Sequence, residues 1–184
     1  MRQRLFIGVE LSETVKQKLA GIVSKLSKKY PRLRWVKQDN FHLTLKFLGP
    51  SQADVQMIGQ HLADRLARIP AFTVEYGQLG QFIRGEKSIT VWIEVIKNES
   101  LLSIYHIINN ALKTFQFGQE KMAYHPHITL GRGKNIQPLN LANIPKSKFD
   151  PMRVDKIVLF KSKLTRQGVD YQPLVSCPLS VYSG

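Results

Sequence analysis

Two tetrapeptides in this chain nearly repeat each other. His42-Leu43-Thr44-Leu45 stands in the first quarter, and His127-Ile128-Thr129-Leu130 in the second half. Both read His-x-Thr-x, both carry aliphatic residues at x, and both are followed closely by a glycine and a basic residue. Alternate side chains of a β-strand point to opposite faces. As strands, both segments bury their aliphatics and present His and Thr together on the other side. Two such strands facing one cleft bring together two imidazoles and two hydroxyls, and they mark the chain as two related halves.

The rest of the pattern supplies elements around those strands. Leu5 to Val9 is an apolar run that predicts a buried strand. Ser12 reads as a helix N-cap, with Val15, Leu19, Ile22 and Leu26 following at helical spacing and Pro31 marking the end. Arg34-Trp35-Val36 reads as a short strand. The first His-x-Thr-x strand is expected from Phe41 to Leu48, stopping at Gly49-Pro50. Ser51 with Asp54 resembles a capping box, opening a second helix through Val55, Ile58, Leu62, Leu66 and Ile69. Phe72, Val74 and Tyr76 alternate as a strand, as do Ile89, Val91, Ile93 and Val95. The polar stretch 81–87, with Gly85, reads as the hairpin loop between them. Asn98 caps a third helix with Leu101, Ile104, Tyr105, Ile108, Leu112 and Phe115 on its apolar face. Gly131 and Gly133 are expected to loosen the chain after the second His-x-Thr-x strand, and 134–151 reads as loop. Strands at Val154 to Lys161 and Val169 to Val175, joined near Gly168, complete an α+β pattern. No linker divides the chain, so residues 1–184 are read as a single bilobal domain.

Composition excludes several classes. Charged residues make up 22% of the 184, and hydrophobic residues 43%, which argues for a globular protein rather than a disordered one. A single cysteine, Cys177, allows no intramolecular disulfide; it reads as a buried small hydrophobe and suits a reducing cytoplasm. The apolar run after Arg4 is too short for a signal-peptide core, and no segment has the apolar length to span a bilayer. The net charge of +14 attracts polyanions. One group of cations gathers between Lys25 and Lys37, another between Arg153 and Arg166.

A pair of histidines suits acid–base chemistry on a phosphate ester. One neutral imidazole accepts a proton from an attacking water or hydroxyl, and one protonated imidazole donates to the leaving oxygen. Thr44 and Thr129 can hydrogen-bond the non-bridging oxygens, and Arg132 can steady the developing charge. Each residue has a plainer reading. A lone strand histidine is usually structural, but the shared His-aliphatic-Thr-Leu frame speaks against coincidence. Thr44 and Thr129 are also good strand formers. Lys46 shares the parity of His42, yet reads more readily as an exposed lysine at a strand end. Arg132 has the wrong parity for the cleft unless Gly131 bends the strand. His61 and His106 sit without partners in helical patterns. His125 and His127 form an H-x-H pair, but no Cys, Asp or Glu cluster supplies the further ligands zinc needs, so no metal or other cofactor is expected. Phosphate-loop and nucleophile-elbow motifs are absent.

At these residues the chain resembles the two-histidine (2H) phosphoesterase superfamily, and within it the bacterial and archaeal RNA 2′,3′-cyclic phosphodiesterases, also called 2′-5′ RNA ligases. The similarity rests on Arg4-Leu5-Phe6-Ile7, on Asn40-Phe41-His42-Leu43-Thr44-Leu45-Lys46-Phe47-Leu48-Gly49, and on Val91-Trp92-Ile93. It continues through His125-Pro126-His127-Ile128-Thr129-Leu130-Gly131-Arg132 and Leu159-Phe160-Lys161-Ser162-Lys163-Leu164 to Gly168 and Tyr171-Gln172-Pro173-Leu174. The resemblance implies a bilobal LigT-like α+β fold, with pseudo-symmetric sheet-and-helix lobes around a central cleft. It implies metal-independent hydrolysis of an RNA terminal 2′,3′-cyclic phosphate to a 2′-phosphate by a cytoplasmic monomer, with His42 as proton donor and His127 as acceptor. The residues alone leave those two roles exchangeable. Run backwards, the site joins a 5′-hydroxyl to a cyclic phosphate. Relatives often carry a basic residue in the central strand before the tryptophan; here Ser88, Ile89 and Thr90 stand there, which puts phosphate contact from that strand in doubt. Base stacking needs an aromatic near the groove, and Phe47, Tyr124 and Phe82 are candidates. Two other readings remain open: the same chemistry on a small cyclic nucleotide, and a basic RNA-binding module without turnover.

Overall fold

The structure is a computed structural model that describes residues 2–85, 88–115, 117, 123–141, 148–166 and 168–181. Its centre is an antiparallel sheet in the order β10-β9-β1-β3-β7-β6-β5. The strands are β1 (Gln3–Glu10), β3 (His42–Ser51), β5 (Tyr76–Arg84), β6 (Ser88–Val95), β7 (His127–Lys134), β9 (Lys156–Thr165) and β10 (Gly168–Pro178). β2 (Arg34–Trp35) adds to β7, and β4 (Phe72–Val74) pairs with β8 (Met152–Val154) in a separate ribbon.

The two His-x-Thr-x strands lie side by side at the middle. β3 pairs along its length with β1, and β7 with β6, but β3 and β7 share only the pair Leu43–Ile128. The sheet is therefore two halves that touch at one point and diverge. The aliphatics of both motifs point into the core; Leu43, Leu45, Ile128 and Leu130 are each at most 1% exposed. The buried faces of α1 (Glu13–Lys29), α2 (Val55–Leu66) and α3 (Glu99–Ala111) join the same core.

Local chemistry sets the helix starts. Ser12 Oγ accepts from the Val15 N–H, and Asn98 Oδ1 from the Leu101 N–H, as their positions predict. The second cap differs from the expected capping box. Asp54 is the N-cap, accepting from the Gln56 N–H, while Ser51 Oγ accepts from the Ala53 N–H in the preceding turn.

Several strands run past their expected ends. β3 continues through Gly49 and Pro50, because Gly49 and Pro50 still pair with Leu5 and Arg4 of β1. The stretch from Gln81 to Arg84, expected as loop, is the end of β5, paired with Val91 to Ser88; the turn shrinks to the neighbourhood of Gly85, whose φ of 56° suits glycine. β7 likewise continues to Lys134. The expected loop segment 142–147 and the turn position 167 lie outside the described residues. Among the described residues no helix is long and apolar enough to cross a membrane.

Candidate active site

Each His-x-Thr-x strand contains a β-bulge just past its His-x-Thr. On β3, Gly8 pairs with Thr44 and Ile7 with Lys46, leaving Leu45 without a partner; on β7, Trp92 pairs with Thr129 and Val91 with Gly131, leaving Leu130 over. An extra residue flips the facing of everything beyond it. Phe47 and Arg132 thus share the face of the histidines, while Lys46 and Gly131 turn inward.

That twist corrects one expectation and resolves another. Lys46 is neither an exposed strand-end lysine nor on the face of His42: it is 4% exposed, and its Nζ donates to Asn109 Oδ1 at 2.6 Å. Arg132 reaches the histidine face, with Nη2 3.5 Å from Thr129 Oγ1. Gly131 is required at its place because a Cβ there would come within 2.7 Å of the Trp35 ring.

The pairing of Leu43 with Ile128 fixes the rest. One step along each antiparallel strand sets His42 across from Thr129 and Thr44 across from His127. The two histidines are diagonal neighbours on one face, with roots roughly 7–8 Å apart for such a register. Both rings are tethered in the same way. His42 Nδ1 donates to the Asn40 carbonyl at 2.8 Å, and His127 Nδ1 to the His125 carbonyl at 2.7 Å. A neutral imidazole bonded through Nδ1–H keeps Nε2 as its free base. His42 Nε2 accepts the Thr44 hydroxyl at 2.9 Å.

The walls are aromatic. Phe6, Phe160 and Tyr171 surround the His42 ring, with Phe6 and Tyr171 centroids at 4.7 and 4.8 Å. Phe82 meets His127 edge-on at 5.0 Å. Of the three stacking candidates, Tyr124 is stacked on Tyr105 at 4.1 Å and donates to the Thr44 carbonyl, and Phe82 packs on Trp92 and His127. Phe47 stays 56% exposed on the histidine face.

This enclosure lowers both imidazole pKa values. Burial pushes His42 down to about 4, and the charges of Arg132 and His127 act in the same direction against the Asn40 hydrogen bond. His127 is lowered chiefly by burial too, with the charges of His125, Arg132 and Arg84 adding. Arg84 is not among the site residues expected from the sequence, because the polar residues around it read as loop; the apolar Phe82-Ile83 beside it is the signal for a strand. Thr90, in the strand from which phosphate contact was not expected, lies opposite Arg132. Among the described residues no three His, Cys, Asp or Glu side chains gather as a metal site, and the His125 ring packs edge-on against Trp92 at 4.9 Å.

A neutral folded His42 has a consequence for stability. The unfolded ring titrates near 6.5, so below that pH the unfolded chain binds the proton first and stability falls until about pH 4. At about 1.4 kcal/mol per unit, the loss is about 3 kcal/mol. Urea denaturation between pH 7 and 4 is expected to show this loss, and a His42→Asn variant to lose markedly less. Equal slopes for the two proteins would show that the folded ring is not held neutral.

Comparison with known proteins identifies the family and the fold. The model of the 2′-5′ RNA ligase superfamily matches residues 14–165, and the chain belongs to that family. A relative from Thermotoga maritima named RNA 2′,3′-cyclic phosphodiesterase is 32% identical, over 95% of this chain and 94% of its own. One of the same name from Aeropyrum pernix is 33% identical over 77% of this chain and 84% of its own. Among solved structures, Escherichia coli LigT complexed with 3′-AMP superposes with a TM-score of 0.80 at 28% identity, covering 98% of this chain and 99% of that one. The fold is thus the LigT-like α+β fold.

Proposed function

We propose that this protein hydrolyses the 2′,3′-cyclic phosphate at the end of an RNA to a 2′-phosphate, without a metal. The observation that carries the reading is the matched tethering of two imidazoles, each through Nδ1 to the carbonyl two residues back, on neighbouring strands of one face. The names of the relatives support the substrate.

In the proposed step, neutral His127 takes a proton from water through Nε2 as the water oxygen bonds to phosphorus. The phosphorus–O3′ bond breaks, and protonated His42 gives its Nε2 proton to the leaving 3′-oxygen. That assignment of donor and acceptor follows the family. Thr44, Thr129 and Arg132 hold the non-bridging oxygens, and Arg84 adds positive charge from β5. The anionic phosphate supplies the negative charge that lets His42 carry its proton in an otherwise unfavourable setting. Reversed, with a 5′-hydroxyl in place of water, the same site forms a 2′-5′ linkage. Phe47 is the face on which a base stacks.

An oligonucleotide is favoured over a mononucleotide. A hollow of about 410 Å³, with Lys37 and Arg166 but also Asp39 and Asp170 in its wall, shares Asp39 and Asn40 with a smaller hollow that touches His42. It has room for a further nucleotide beside the site, and the net charge of +14 favours several phosphates. One chain carries both histidines, so the reading takes residues 1–184 as one domain acting as a monomer, and the single buried cysteine suits the cytoplasm.

The test is a chelator-treated assay, across pH, on an RNA ending in cyclic phosphate and on a mononucleotide with the same terminus. The expected product is the 2′-phosphate, formed faster from RNA. The kcat/KM profile is expected to be bell-shaped with its maximum on the acid side of 6.5, because both imidazoles titrate low. The basic limb of kcat lies higher, since bound phosphate stabilises imidazolium. Salt-sensitive RNA binding with no turnover would replace the enzyme with a binding module.

A further inference from the structure

Asn40 and Lys46 are the buried polar or charged residues among those described, and only Lys46 is explained by its contact with α3. Asn40 closes a 3₁₀ turn, Gln38–Asn40, two residues before His42. Its backbone carbonyl takes the His42 Nδ1 proton, which leaves Nε2 for the groove. Its side chain faces the other way, to β10. There Nδ2 donates to the Val169 carbonyl at 2.6 Å, and the Tyr171 N–H donates to Oδ1 at 3.3 Å. The amide thus takes one acceptor and one donor from alternate residues of a strand, as a neighbouring strand would.

The location of that strand matters. Val169 pairs with Leu164, beyond Ser162, where the pairing of β9 with β1 ends. The hairpin overhangs the sheet, and Asn40 is where its backbone fastens to the histidine strand. The same hairpin carries Tyr171, which meets His42 edge-on at 4.8 Å. One side chain therefore fixes both the carbonyl that orients the ring and the tyrosine that walls it.

Among the described residues the other half shows no such device. The His125 carbonyl holds His127 in the same way, but His125 Nε2 is buried with no hydrogen-bond partner among the described residues, and its ring is wedged against Trp92 and Phe82. We infer that Asn40 is a positioning residue for His42, holding the ring orientation through its own carbonyl by anchoring to β10, with no corresponding hold on His127. The catalytic part of this inference rests on the proposed function; the ring orientation does not.

The experiment is ring-¹⁵N NMR of the histidines, with turnover, in wild type, Asn40→Ala and Asn40→Asp. Wild-type His42 is expected as the Nδ1–H tautomer. In Asn40→Ala the His42 tautomers mix while the His127 signals stay in place, and kcat falls about 10- to 100-fold, the scale of a misplaced catalytic group, with KM little changed. Asn40→Asp keeps the acceptor for Tyr171 and loses the donor to Val169, so both readouts fall in between. An unchanged His42 ring in these variants, with only the melting temperature lowered, overturns the inference. If Asn40→Ala does not fold, the Asn40→Asp spectrum decides alone. Wild-type protein inert on cyclic phosphate would instead remove the functional reading, while the tautomer measurement still decides the orientation.

Discussion

Replacing either His42 or His127 by alanine is expected to lower kcat on a cyclic-phosphate RNA by about 10²- to 10⁴-fold, the usual worth of one general acid or base. KM should change far less, since the proposed mechanism assigns phosphate affinity to Arg132, Arg84 and the threonines, and RNA affinity to the basic surface. The double variant is expected to be little slower than the worse single variant. Donor and acceptor act in the same transition state, so removing one leaves the other little to contribute. Folding is checked by circular dichroism and by the urea midpoint near pH 7, where the neutral His42 ring carries no electrostatic penalty. Its loss does open a gap among Phe6, Phe160 and Tyr171, so His42→Gln serves as the better filled control. Near-full activity in any of these variants would end the paired-imidazole mechanism.

The parts of this fold that could be read from the chain are those fixed by local periodicity. The aliphatics of both motifs, the helix faces at Val15-Leu19-Ile22-Leu26 and Leu101-Ile104-Ile108, and the caps Ser12 and Asn98 are short-range signals that the core only had to accept. The misreadings came from pairing partners distant in the chain. Gly49 and Pro50 look like a strand end, but β1 offers Leu5 and Arg4 opposite them. The stretch 81–87 reads as a loop from its polar residues, but β6 is long enough to keep 81–84 in register. In the site, the two histidines and threonines were legible because they precede the bulges. Lys46 and Arg132 were not, because a bulge has no local signature here beyond Gly131, and each strand slips by one residue only against its own neighbour. The clamp of Asn40 on β10 is invisible in the chain, since Val169 and Tyr171 lie far from it.

The bulge on β7 gives the sharpest remaining test, because strict alternation and the observed register make opposite predictions for one residue. Under strict alternation Arg132 faces away from His127, and its loss is silent. With Leu130 left unpaired against β6, the guanidinium stands beside Thr129 and its charge is felt by both imidazoles. Arg132→Ala is therefore expected to cost about 10²- to 10³-fold in kcat, the scale of removing one preorganised donor from a developing oxyanion. Arg132→Lys should recover part of this, since the charge remains but the planar fork is lost. A second readout is independent of turnover. Removing a cation that disfavours imidazolium must raise the pKa of His42 and of His127 together, which ring NMR titration measures directly. Alanine at 132 with kcat within twofold of wild type, and both imidazoles titrating as before, would place the arginine outside the groove. The pairing of Gly131 with Val91 rather than with Thr90 would then be wrong.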